Sequence, residues 1–123
     1  MAKTFLLLGA VFGFLSVAFG AFGAHGLRDS VPPTALENFK TAAQYQMAHA
    51  LALVLLGLLA LQTPSQWWKP AGIAFTAGIC IFSGCLYLLV LTGQRWLGAI
   101  VPIGGTAFLI GWALLAYGAW RLR

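Results

Sequence analysis

Apolar positions run through the chain in four long blocks, separated by short stretches where proline, glycine and charged residues gather. A helix that crosses the hydrocarbon core of a bilayer needs about 20 predominantly apolar residues. The blocks near residues 4–25, 70–91 and 97–118 meet that length without strain. The remaining block is harder, because the apolar run from Met47 to Leu61, His49 apart, is too short by itself. Its span has to reach back to about residues 42–61, which carries polar side chains inside and predicts that His49 lies below the surface.

Interruptions between the blocks agree with four helices. Gly26 follows the first block, as glycine often does just past a helix end. Val31-Pro32-Pro33 then forbids helix, and Thr34-Ala35-Leu36-Glu37 fits a capping box that predicts a start near Ala35. Over residues 35–43, Leu36, Phe39 and Ala43 share one side, while Glu37, Lys40 and Thr41 fall elsewhere. Such a segment suits the membrane interface. Thr63-Pro64-Ser65 and Thr92-Gly93-Gln94 end the second and third blocks. The expected fold is an all-α membrane protein, a compact four-transmembrane-helix bundle with an interfacial amphipathic start to its second helix, in one integral domain over residues 1–123.

Composition points to lipid as the solvent. The chain is 61% hydrophobic and 7% charged, against roughly 25% charged in a soluble domain. Lys3, Phe5–Phe19 and Ala21-Phe22-Gly23 have the order of a cleavable export signal, but the segment is read as a retained membrane helix. The net charge of +5 is spread over termini and loops with no basic stripe, which gives no support to nucleic-acid binding. With four spans both termini share a side, which then holds Lys3, Lys69, Arg121 and Arg123 against Arg28, Lys40 and Arg95 opposite. This bias favours cytoplasmic termini in the cell inner membrane. Trp67, Trp68 and Trp120 are expected at the terminal-side interface and Trp96 at the other.

Lipid supplies no hydrophobic drive for helix association, so close backbone approach and polar contacts must do it. In the first block Gly9, Gly13, Ser16, Gly20 and Gly23 fall on one stripe, a predicted helix-packing seam. The third block has Gly72, Thr76, Cys80, Ser83 and Tyr87, whose hydroxyls at Thr76 and Ser83 can bond carbonyls of their own helix. The fourth has Gly104, Gly111 and Gly118, and Pro102 predicts a kink or a late helix start. Cys80 and Cys85 would point about 140° apart on a helix and cannot bond to each other.

Following the helix directions, most polar groups gather in the half of the bundle away from the termini. His25, Tyr45, His49 and Tyr87 form the candidate polar or ligand-binding cluster, with Tyr45 and His49 four residues apart on one face. A histidine in hydrocarbon is bonded to a neighbour or functional. The favoured reading is structural: His25 caps a helix end, and His49 bonds Tyr45 or a carbonyl across a seam. Two histidines fall short of the four ligands of a structural zinc site, so no metal is expected. Both carboxylates, Asp29 and Glu37, lie in the outer loop, leaving none inside the membrane to carry a proton or cation. No Ser-His-Asp set and no phosphate-binding glycine loop is present, so neither a cofactor nor a catalytic residue is assigned.

Four stretches together resemble one family: GAFGAHGL at 20–27, FKTAAQYQMAHALAL at 39–53, FSGCLYLLVLTG at 82–93 and PIGGTAFLIGW at 102–112. They are similar, in order and over nearly the whole chain, to the YgdD-like family of small uncharacterised bacterial inner-membrane proteins. The resemblance implies a four-helix membrane protein and supplies no activity to carry over. Where such proteins often read FSGSLY, this chain has Cys85. The expected function is a non-enzymatic packing or accessory module, in contact with membrane lipid and associating through its glycine seams with itself or a larger membrane complex. The alternative is binding or transport of a small polar or amphipathic molecule through a pocket in the outer half.

Overall fold

Glycine and proline mark where the first three helices stop, and the breaks leave four helices. The computed structural model describes residues Met1–Arg123. Helix α1 spans Ala2–His25, α2 Pro33–Gln62, α3 Trp68–Thr92 and α4 Leu97–Trp120, and there is no β-strand. All four are long and apolar enough to cross a membrane. At 24 residues α1 and α4 rise about 36 Å, more than the ~30 Å hydrocarbon core. The 30 residues of α2 rise about 45 Å, so its opening turns stand outside a core of that thickness. No break separates those turns from the rest of α2.

The start of α2 departs from the capping-box expectation. The helix begins at Pro33, after Pro32 in extended backbone, and no side chain caps it. Proline is favoured at the first helical position because its missing N–H would have no helical partner anyway and its φ is already set. Thr34 is thereby drawn inside the first turn, where its hydroxyl cannot act as the cap. At the other end of the next span, Gly93 takes the left-handed conformation (φ 72°) and donates its N–H to the Leu89 carbonyl at 2.8 Å, closing α3.

Helices pack in chain order, each on the next, with α2 the most buried of the four. Gly9, Gly13, Ser16, Gly20 and Gly23 all lie on the side of α1 that meets α2. Contact there is backbone-close: a methyl group added at Gly9 would sit 2.6 Å from Val54 Cγ2 and 2.8 Å from the Ala50 carbonyl oxygen. Helix α4 approaches α3 in the same way, with Gly104 against the Phe82 backbone and Gly111 and Gly118 receiving the rings of Phe75 and Trp68. These rings join Phe5, Leu53, Leu56, Ala71, Ile79 and Phe108 in the apolar core. Both glycine faces therefore meet a neighbouring helix of the same chain, which corrects the expectation that these seams join it to other chains.

Two further expectations change, at Trp68 and within α3, and at Pro102 one of two alternatives is removed. Trp68 is fully buried and donates its indole N–H to the Thr63 carbonyl at 2.8 Å, so it is a core residue and not an interfacial one. Its N–H finds an acceptor at the end of α2, which lets the ring leave the lipid headgroups. Pro102 lies inside α4, which begins at Leu97, so the helix does not start late. Within α3, Ile79–Ser83 form one π-helical turn between α-helical Trp68–Gly78 and Gly84–Thr92. The wider turn breaks the predicted stripe: Cys80 is exposed while Ile79 and Ser83 are buried.

These contacts predict opposite outcomes for two glycines of adjoining helices. Gly104→Ala should lower stability by about 1–3 kcal/mol, because its methyl meets Phe82 backbone that cannot swing aside. Gly84→Ala, with nothing within 4 Å, should leave the midpoint of thermal unfolding in detergent unchanged or slightly raised.

Candidate functional site

Ala42 and Ala43 are small, and that lets side chains from two other helices reach the backbone of α2. Ser16 on α1 donates to the Ala43 carbonyl at 2.7 Å, and Ser83 on α3 donates to the Ala42 carbonyl at 2.8 Å. Ser83 thus bonds across helices and not within its own, because the π turn directs it at α2. Thr76, before that turn, keeps the within-helix bond, to the Gly72 carbonyl at 2.8 Å.

One turn along α2, Gln46 joins the same three helices. Its Nε2 donates to the Phe12 carbonyl of α1 at 2.8 Å, and its Oε1 accepts from the Tyr87 hydroxyl of α3 at 2.7 Å. A carbonyl can only accept, so the Phe12 contact fixes which way round the amide sits. The Tyr87 ring is held between Phe19 of α1 and Phe39 of α2, with ring centroids 4.9 Å from each.

His49 forms a second assembly, which ties α2 to α4. Its Nδ1 lies 2.7 Å from the Tyr45 carbonyl oxygen, and Trp112 Nε1 lies 3.0 Å from its Nε2. The indole N–H is a donor only and the carbonyl an acceptor only. Nε2 is therefore the bare nitrogen and Nδ1 carries the proton, which makes the imidazole neutral with both nitrogens taken. Its ring stacks on Phe108 at 3.6 Å and 9°, with Phe75 at 5.5 Å. Sixteen residues into α2, it sits roughly 24 Å along a helix of about 45 Å.

The four candidate residues therefore do not share one pocket. Tyr87 belongs to the Gln46 network and His49 to the Trp112 assembly. Tyr45 is 46% exposed, rests its ring on Phe82 at 4.7 Å, and meets His49 both through its main-chain carbonyl and ring to ring, with centroids 6.3 Å apart. His25 is the last residue of α1, exposed and outside both networks. It does not cap that helix with its side chain; Gly26 and Leu27 donate their backbone N–H groups to the Phe22 carbonyl there. No three His, Cys, Asp or Glu side chains converge to hold a metal.

Residues 19–105 match the family described as "Protein of unknown function (DUF423)", well over half of the chain. The chain belongs to the DUF423 family. It is 46% identical to the UPF0382 membrane protein SAB0533 of Staphylococcus aureus, over 92% of each chain. It is 43% identical to the UPF0382 membrane protein YwdK of Bacillus subtilis, over 95% of this chain and 96% of that one. The UPF0382 inner membrane protein YgdD of Escherichia coli is 36% identical over 99% of this chain and 93% of its own. No solved structure matches. The resemblance noted in the sequence is thus a family membership, and the chain is a membrane protein.

The DUF423 match takes in Gln46, His49, Ser83 and Tyr87 and leaves Ser16 and Trp112 outside. Gln46 and Trp112 were absent from the candidate cluster, yet each had a signal. Gln46 shares a helix face with Ala42, Ala43 and Ala50, all buried. Trp112 places an indole N–H mid-span, where an acceptor must come from another helix.

Removing one partner at a time should separate these bonds by thermal unfolding in detergent. His49→Ala should cost about 2–4 kcal/mol, since it also empties the slot beside Phe108. Trp112→Phe, which loses only the donor, should cost about 0.6–1.7 kcal/mol.

Proposed function

We propose that this chain is a non-enzymatic membrane module that works by associating with copies of itself or with a larger membrane complex. The observation that supports this most is that its interior chemistry is already spent. Every buried side-chain nitrogen and oxygen has a hydrogen-bond partner within the chain. General acid–base catalysis needs a titratable group within about 2.6–3.2 Å of a substrate proton. His49 meets neither a free edge nor open space, with Phe75, Phe108 and Trp112 around its ring. The rival reading, a binding or transport pocket among His25, Tyr45, His49 and Tyr87, needs room that Phe39, Phe82 and Phe108 occupy.

Association in this reading uses outward faces, because the glycine faces of α1 and α4 are turned inward. Leu7, Phe14 and Val17 on α1 and Leu109 and Ile110 on α4 are the exposed apolar side chains such contacts would use. The bias of Lys3, Lys69, Arg121 and Arg123 over Arg28, Lys40 and Arg95 supports cytoplasmic termini.

Gentle extraction followed by native mass spectrometry tests the association. Multiples of the 13.1 kDa chain, or a stable assembly with other membrane proteins, are expected. A monomer that retains a small polar molecule would instead establish the rival. For orientation, a C-terminal fusion to a fluorescent protein that matures only in the cytoplasm should fluoresce in intact cells, and a dark fusion would reverse the assignment.

A further inference from the structure

Helices α1 and α3 both start at the terminal end of the bundle, and they touch mainly where the Phe5 ring fills the notch left by Gly72. Beside that contact they part, leaving a groove of about 540 Å³ lined by Thr4, Phe5, Leu8, Lys69, Ile73 and Ala77 among others. Its size falls within the roughly 300–1,000 Å³ of small-molecule sites. The deeper wall is apolar apart from Thr76, whose hydroxyl is bonded to the Gly72 carbonyl, and Lys69 stands with Met1 at the end where α3 and α1 begin. Asp29 and Glu37, the only acidic side chains, follow α1 and open α2 at the opposite end, so neither can neutralise Lys69. The first turns of α1 and α3 likewise hold no acid. The groove opens sideways, since Ile73 is 56% exposed on the flank of α3.

We infer that this groove holds one membrane phospholipid with an anionic headgroup, an acyl chain lying along Phe5, Leu8, Ile73 and Ala77 and the phosphodiester beside Lys69. The pairing rests on charge and depth. A cation at the interface above an apolar slot matches a molecule with its negative charge at the headgroup and its hydrocarbon below. A zwitterionic lipid gives Lys69 a weaker partner, and a soluble anion has no use for the apolar wall.

The test is native mass spectrometry of the full chain, delipidated in detergent and offered equal amounts of dioleoylphosphatidylglycerol and dioleoylphosphatidylcholine. One phosphatidylglycerol per chain should be retained about five-fold over phosphatidylcholine. Lys69→Glu should reduce that retention roughly ten-fold, while Lys69→Arg, which keeps the cation, should preserve it. Ile73→Trp, at an exposed position, should fill the groove and reduce both lipids. Equal retention of the two lipids by the unaltered chain would overturn the inference, as would equal loss in Lys69→Glu and Lys69→Arg.

Discussion

Hydrocarbon offers no hydrogen bonds, so any polar side chain that enters it must find its partner in the protein. In this chain that partner is repeatedly the main chain of α2. Ala42 and Ala43 expose their carbonyls to serines from opposite flanks and Tyr45 offers its own to His49, while Gln46 of α2 turns the other way, to the Phe12 carbonyl of α1. The small residues and the hydroxyls are two halves of one device: without alanine at 42 and 43, Ser16 and Ser83 could not come within bonding distance. Helix α2 can be the least apolar of the four because its polar groups are bonded to the helices around it.

Around that polar spine the apolar contacts divide by type. Gly9 of α1 and Gly104 of α4 admit the backbone of α2 and α3, whereas Gly23, Gly111 and Gly118 admit rings. Neither arrangement gains from expelling water, since lipid is as apolar as the side chains themselves. What each gains is dispersion over a close surface and relief from holding polar groups alone. The same two terms explain why Trp68, amphipathic and near the headgroups, is inside: its single N–H is met at the end of α2 and its ring fits against Gly118.

Much of this was legible before any coordinates. Block lengths and the positions of glycine and proline located the four helices, and the DUF423 match agrees with them as a membrane protein. Partner identity was less legible. The register of Ser83 depends on a local widening of α3 that no periodicity in Ile79–Ser83 announces, so a serine expected to bond its own helix bonds another. The start of α2 was misjudged for a simpler reason, two adjacent prolines of which the second is a good first helical residue. Grouping His25 with His49 failed because helix direction gives depth along the membrane and says nothing of azimuth around the bundle.

That widened turn has a consequence for how α3 can vary. An α-helix has one phase from end to end, so a side chain chosen to meet one neighbour constrains every position a few turns away. The additional residue within Ile79–Ser83 uncouples the two parts. The stretch up to Gly78 sets Trp68, Phe75 and Gly78 toward α4, while the stretch from Ser83 sets Ser83 and Tyr87 toward α2. It works as a rotary joint frozen at one angle, by which a single rod serves two neighbours that lie in different directions.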